Sequence, residues 1–235
     1  MRIAFSGAAC TGKTTTISAF LQKWPQYKIP ATSYRSLIKE NNHSKKTTSK
    51  LQKHILQFMV EQQSQYTLHD NIVYDRCVLD NIVYSMWSFE KGKPGFTEKY
   101  IKDAIDLVHK GMRNLDIIFF STRDGMGMLE DNRIREVDPA YVSEIDNFFK
   151  AIHAQIGSKG ISPFFPVNDS PALIELKGTT AERLEQISMY VTEDGTMYGE
   201  EQSLVNMDEI NKMERLLIEQ QEALRKSKGL DLNNK

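Results

Sequence analysis

Residues 7–14 read Gly-Ala-Ala-Cys-Thr-Gly-Lys-Thr and follow directly on the apolar run Ile3-Ala4-Phe5. Gly7 and Gly12 bracket four residues ahead of Lys13 and Thr14, the Gly-x4-Gly-Lys-Ser/Thr spacing of a phosphate-binding loop. In such a loop a short strand turns sharply into a helix while several backbone N–H groups converge on one anion, and glycine permits the turn. The helix that starts near Lys13 aims its unpaired N–H groups and the positive end of its dipole at the same phosphates. The Lys13 ammonium reaches the β- and γ-oxygens, and the Thr14 hydroxyl is a ligand for Mg²⁺. The expected cradle is Gly7, Ala8, Ala9, Cys10, Thr11, Gly12, Lys13, Thr14 and Thr15.

A second pair of reactive groups stands at Asp75-Arg76, directly after the apolar stretch Asn71-Ile72-Val73-Tyr74. A carboxylate and a guanidinium at the carboxyl end of a strand, in the same sheet as the loop, suit phosphoryl transfer. That reaction needs a base or orienter for the nucleophile and positive charge around the transferred group. Asp75 would take the proton of an acceptor hydroxyl or hold Mg²⁺, and Arg76 would bind the acceptor or its phosphate; the plain alternative is a salt-bridged pair capping the next helix. Asp80, on that helix, is expected to face solvent or a neighbour. Arg35 sits just beyond Tyr27-Lys28-Ile29-Pro30-Ala31, a short second strand by pattern, and is a further acceptor candidate or else an ordinary exposed arginine. Between residues 39 and 53, Lys39, Lys45, Lys46, Lys50 and Lys53 stand among Asn, Ser and Thr with Glu40 alone to oppose them. The stretch reads as a surface loop or as a basic lip over an anionic substrate.

These groups need a frame, and the remaining pattern supplies one. A first helix runs from Thr14 to Lys23 and stops at Trp24-Pro25, because proline disfavours helix in the residue before it. Thr32-Ser33 caps a helix carrying Tyr34, Arg35, Leu37 and Ile38. Leu51, Ile55, Phe58, Met59 and Leu68 recur at helical spacing and predict one helix to about His69. Val78 to Phe89 and a segment capped by Thr97 follow as helices, and Trp87, Phe89 and Phe96 are candidates to stack on a base or to fill the core. Leu115 to Ser121 is the clearest buried strand, and Pro139 opens a helix through Ile152. After a loop over 157–171, Leu173 to Leu176 forms the last strand and Gly178-Thr179-Thr180 opens the last helix of the body. Five strands alternating with helices predict an α/β fold, a three-layer doubly wound parallel five-stranded sheet, over residues 1–192. Residues 193–235 read as a C-terminal helical extension, with Leu204, Met207, Ile210, Met213 and Leu217 on one stripe that either packs back on the body or pairs with a second copy as a homodimer.

With 235 residues and 40% hydrophobic content the chain can bury one sizeable core. The net charge of −1 gives no general attraction to nucleic acid or to an anionic membrane. The tail holds ten acidic and six basic residues against 24 basic and 21 acidic in the body, so the body is slightly positive. No apolar run approaches the ~20 residues of a membrane span, and Met1-Arg2 leads straight into a strand, so a cytoplasmic protein without membrane contact is expected. Cys10 and Cys77 read as two free thiols. The sequence carries neither a His/Cys metal cluster nor a nucleophile elbow nor a dinucleotide fingerprint, and the histidines at 43, 54, 69, 109 and 153 share no spacing.

The loop at 7–14, the Asp75-Arg76 pair and the Arg133-Ile134-Arg135 stretch together resemble the P-loop kinases of nucleosides and nucleotides. The nearest resemblance is to the nicotinamide-riboside-kinase-like, AAA-type group, and a more distant one is to thymidylate and deoxynucleoside kinases. The resemblance covers about residues 1–192. It implies ATP and Mg²⁺ as cofactors, a role for Asp75 and Arg76 in catalysis and acceptor binding, and an arginine-bearing lid at about 123–137. That lid would close over the triphosphate and exclude water, with Arg133 and Arg135 as its cations and Arg123 as a third candidate. Gly178 and Thr179 would lie near the adenine. The chain departs from its relatives ahead of Arg35, where Ser33 and Tyr34 replace an acidic residue. The expectation is a kinase acting on a small nucleoside or nucleotide acceptor. Two alternatives stay open: a kinase whose acceptor lies within nucleic acid, a hydroxymethylated base or a strand end, and a regulatory P-loop NTPase or binding module.

Overall fold

Strand β1 (Arg2–Ser6) is buried along its whole length and lies in the middle of the sheet. It pairs in parallel with β2 (Ile72–Asp75) on one side and with β3 (Ile117–Ser121) on the other, and β4 (Ala172–Leu176) pairs in parallel with β3, giving the order β2-β1-β3-β4. The computed structural model describes residues 1–41, 47–67, 69–123, 138–160 and 162–197. Because all four strands run the same way, the chain leaves Ser6, Asp75, Ser121 and Leu176 at one edge of the sheet. That carboxyl edge is where ligands bind in open α/β sheets.

Successive residues of a strand face opposite sides, and the two faces are covered by different helices. On one face Phe5 packs against Phe20 of α1 (Lys13–Lys23) with ring centroids 5.7 Å apart, and Phe119 meets Tyr190, which follows α7 (Thr180–Ile187), at 6.1 Å. On the other face Ala4, Tyr74, Ile118 and Phe120 join a core with α3 (Ser49–Ser64), α4 (Val78–Glu90), α5 (Glu98–Met112) and α6 (Pro139–Lys159). Phe120 stacks on Phe149 of α6 with centroids 6.4 Å apart. Each of the buried Phe and Ile side chains among these contributes about 1.5–3 kcal/mol. The expected three-layer α/β arrangement is therefore the one observed.

The expected five strands are four among the described residues. Tyr27–Ala31 contributes a single bridge, Lys28 to Ile72, in which Lys28 N–H donates to Asn71 O at 2.8 Å and Val73 N–H donates to Lys28 O at 2.8 Å. Pro30 has no N–H with which to continue the ladder. The 39–53 stretch is not one loop either: α2 (Tyr34–Asn41) extends into it, and Thr48 caps α3, accepting from Leu51 N–H at 3.2 Å. Lys50 and Lys53 are exposed on α3, while Lys45 and Lys46 lie outside the described residues. Helix α3 ends at Ser64 rather than near His69, because Thr67 turns the chain by donating its N–H to Asp70 Oδ2 at 2.8 Å. Helix α6 continues through Gly157 to Gly160, whose left-handed φ of 67° closes it. The C-terminal stripe from Leu204 to Leu217 lies outside the described residues. No helix among the described residues is long and apolar enough to cross a membrane.

Candidate active site

The loop between β1 and α1 takes its shape from three residues with positive φ: Gly7 at 128°, Cys10 at 57° and Gly12 at 76°. At Gly7 a Cβ would stand 2.5 Å from the carbonyl oxygen of Ser121, so the close approach of β3 also demands glycine there. Gly12 is the N-cap of α1 and offers no side chain to its first-turn N–H groups, and no acidic residue sits in that turn to neutralise the dipole. Lys13 folds back into the loop, where its ammonium donates to the Ala8 carbonyl and to Thr11 Oγ1 at 3.1 Å. It is only 6% exposed. Thr14 and Thr15 stand exposed on the first turn of the helix, and Ala9 and Cys10 are half-buried.

A buried residue that sequence reasoning missed holds the loop from behind. Arg183 of α7 donates through Nη1 to the Thr11 carbonyl at 2.6 Å and lies 3.5 Å from Thr16 Oγ1. Burial lowers its pKa from the usual guanidinium value. Nothing local marks Arg183, because its partner is 172 residues away in the chain.

Asp75 closes β2 in register with Phe5, one residue short of the loop's own strand end. Its Oδ2 accepts from Arg35 Nη2 at 2.6 Å, and its Oδ1 is buried without a hydrogen-bond partner. Arg76 follows with φ 78°, and its N–H donates to Phe5 O at 3.0 Å. Its Nη1 donates to Asp80 Oδ1 at 2.6 Å and to the Gly7 carbonyl at 3.1 Å, and its guanidinium lies 5.2 Å from the centre of the Tyr84 ring. Burial works against the charge of Arg76, but Tyr84, Tyr34, Asp80 and Asp75 outweigh it and hold the pKa well above the usual range. The structure thus brings together Lys13, Asp75, Arg76 and Arg35 at one edge of the sheet. It also shows that the salt-bridge alternative for Asp75-Arg76 is not their mutual pairing, since each takes a different partner.

Asp80 is the second residue whose part was missed. It is 1% exposed and faces neighbours, not solvent: its carboxylate accepts from Ser6 Oγ at 2.7 Å, Cys77 N–H at 3.1 Å and Gly7 N–H at 3.3 Å besides Arg76. The signal was available in the i,i+4 spacing of Arg76 and Asp80. Both cysteines are free; Cys77 is buried and its thiol is pushed up to about 12 by burial.

Of the remaining candidates, Arg123 follows β3 and its N–H donates to Asp146 Oδ2 of α6 at 3.4 Å. Arg133 and Arg135, with most of the expected lid, lie outside the described residues. Thr179 is the N-cap of α7, where its N–H and hydroxyl donate to Glu182 Oε2 at 2.7 and 2.8 Å. Beside it Lys177, Gly178, Glu182, Glu185, Gln186 and Met189 line an open hollow of about 580 Å³. Phe96 is buried against Tyr100, and Trp87 packs on Tyr141 at 4.5 Å while donating to Glu144 Oε2 at 2.6 Å, so both aromatics belong to the protein's own packing.

The donor set fits Mg-ATP. Main-chain N–H groups at a helix start, a lysine ammonium and a glycine pressed against β3 form a cradle for phosphates. Among the described residues no three His, Cys, Asp or Glu side chains stand together as a metal cage. Thr14 and Asp75 are the oxygen ligands on offer, which suits a cation held largely by water and phosphate oxygens.

A family model described as an AAA domain matches residues 2–162. No curated protein matches the chain. Among solved structures, a deoxyadenosine kinase from M. mycoides with dCMP and dCDP bound is 16% identical, with a TM-score of 0.54 over 80% of this chain and 96% of that one. A thymidylate kinase from Candida albicans is 17% identical, with a TM-score of 0.54 over 79% of this chain and 88% of that one. The NadR protein in complex with NR is 14% identical, with a TM-score of 0.52 over 80% of this chain and 51% of that one. On the family match over residues 2–162 the chain belongs to the AAA domain family, and it has the fold of the P-loop nucleoside and nucleotide kinases.

Proposed function

We propose that this protein is an ATP- and Mg²⁺-dependent kinase that transfers the γ-phosphoryl group to a hydroxyl or phosphate of a small nucleoside or nucleotide. The observation that carries this reading is the Asp75 carboxylate, which ends the strand beside the phosphate loop, pairs with Arg35 through Oδ2, and keeps Oδ1 buried without a hydrogen-bond partner. Bound Mg-ATP supplies the phosphoryl group. Lys13 and the N–H groups of the loop would hold its phosphates, and Thr14 would hold the metal, with Asp75 reaching it through water. Asp75 accepts the acceptor's proton through Oδ1, and Arg76 and Arg35 orient the acceptor against it. Arg133 and Arg135 of the lid stabilise charge on the transferred group. The kinase fold, and relatives that carry dCMP and dCDP or NR, make nucleosides and nucleotides the first acceptors to try.

The test follows γ-labelled phosphate from Mg-ATP, with no acceptor, pooled nucleosides, pooled nucleoside monophosphates, nicotinamide riboside, or DNA with and without hydroxymethylated bases. Lys13→Ala serves as the blank. Label in one small-molecule pool is expected and names the acceptor class. Label on DNA would replace the acceptor, and free phosphate released equally in every tube would leave an NTPase in place of a kinase.

A further inference from the structure

The Asp80 carboxylate lies in the first turn of α4, and the four groups that hydrogen-bond to it are all donors. Ser6 Oγ and Gly7 N–H come from the junction of β1 with the phosphate loop; Arg76 Nη1 and Cys77 N–H come from the segment after Asp75. Four donors require an acceptor at both oxygens, and an amide in the same place would set an N–H against at least one of them. Arg76 Nη1 also donates to the Gly7 carbonyl at 3.1 Å, so the first glycine of the loop is bonded to this cluster through both its N–H and its C=O. Charge-assisted bonds of this kind, buried and mutually arranged, act as a unit and not as separate contacts.

We propose that Asp80 is a positioning residue that couples the two halves of the site, tying the acceptor-side guanidinium of Arg76 to the backbone of the phosphate loop. The inference rests on the kinase reading for the word acceptor, but the link itself is a property of loop and guanidinium. At 1% exposure Asp80 acts on a ligand through Arg76 and Gly7. An acceptor that draws on Arg76 shifts the same bonds that shape the loop, so donor and acceptor change each other's affinity by the same factor.

The experiment measures Mg-ATP binding by calorimetry on the full chain with no acceptor present, together with melting temperature. The variants are Asp80→Asn, Arg76→Lys and the double variant. Each single change is expected to weaken Mg-ATP binding by the folded protein about fivefold or more, the scale of site-to-site coupling. The double variant is expected to bind no more weakly than the worse single, since both cut one link. Losses that multiply in the double variant overturn the proposal, as does an unchanged dissociation constant alongside a lowered melting temperature, the mark of a merely structural carboxylate. If Asp80→Asn does not fold, Asp80→Glu, which keeps the charge but displaces the carboxylate by one methylene, takes its place in the same cycle with the same criteria. A wild-type chain that binds Mg-ATP yet phosphorylates nothing defeats the kinase reading and leaves the coupling test standing. One that binds no Mg-ATP defeats both.

Discussion

Arg35 Nη2 lies 2.6 Å from Asp75 Oδ2, joining the helix after the edge of the sheet to the carboxylate at the end of β2. The pair leaves one oxygen of Asp75 engaged and the other available, which separates the two residues' expected effects. Asp75→Asn should lower kcat by about 10²–10⁴-fold, the usual size of a general base. Arg35→Ala should mainly raise the acceptor KM, because the Arg35 side chain is 40% exposed and its loss leaves Oδ1 in place. Steady-state kinetics on the acceptor found by label transfer checks both; an unchanged kcat in Asp75→Asn removes it as the base.

Gly7 and Gly157 make a matched pair for stability. Gly7→Ala sets a Cβ at φ 128°, 2.5 Å from the Ser121 carbonyl, and should cost about 2–4 kcal/mol. Gly157 sits in α6 with nothing within 4 Å of a would-be Cβ, so Gly157→Ala should gain about 0.5–1 kcal/mol. Denaturant unfolding of the two variants against wild type decides, and opposite signs are the expected result.

Arg183→Met should leave the Thr11 carbonyl without its charged donor, costing about 1–3 kcal/mol of stability. Mg-ATP affinity should fall with it, because Thr11 lies between Cys10 and Gly12 in the loop. A variant that loses stability but keeps its affinity would show that the loop backbone holds its shape without α7.

The buried Cys77 thiol supplies a pH dependence with a definite sign. Its native pKa is raised from 9.0 to about 12, so above pH 9 the unfolded chain sheds a proton that the native chain keeps. Stability from this group is intact below pH 9 and falls as pH rises toward 12, by at most about 1.4 kcal/mol per pH unit. Between pH 8 and 10, Cys77→Ala should flatten the decline of the urea midpoint. An identical slope in both proteins would assign the alkaline loss elsewhere.

The phosphate loop was legible because its chemistry is contiguous: the glycines, the lysine and the strand before them fall within fourteen residues. Asp75-Arg76 was legible as a place, since a charged pair after an apolar run marks a strand end. Its pairing with Arg35, 40 positions away, was not, and neither was the brace of Arg183 on the phosphate loop, 172 positions from Thr11. Asp80 was legible only as facing solvent or a neighbour, for a different reason. An acidic residue early in a helix ordinarily caps it at the surface, and this one does cap α4, but a parallel sheet buried on both faces turns that cap inward. The second strand was overcalled because apolar alternation says nothing of a proline's missing N–H.

The bond from Arg183 to the Thr11 carbonyl also orders events during synthesis. The loop leaves the ribosome 172 residues ahead of the guanidinium that braces it. Until α7 emerges, a nascent chain can pair β1 with β2 and β3 while Thr11 still lacks its brace. A ribosome-stalled series of increasing length should therefore acquire resistance to protease in the sheet before it gains tight retention on immobilised ATP.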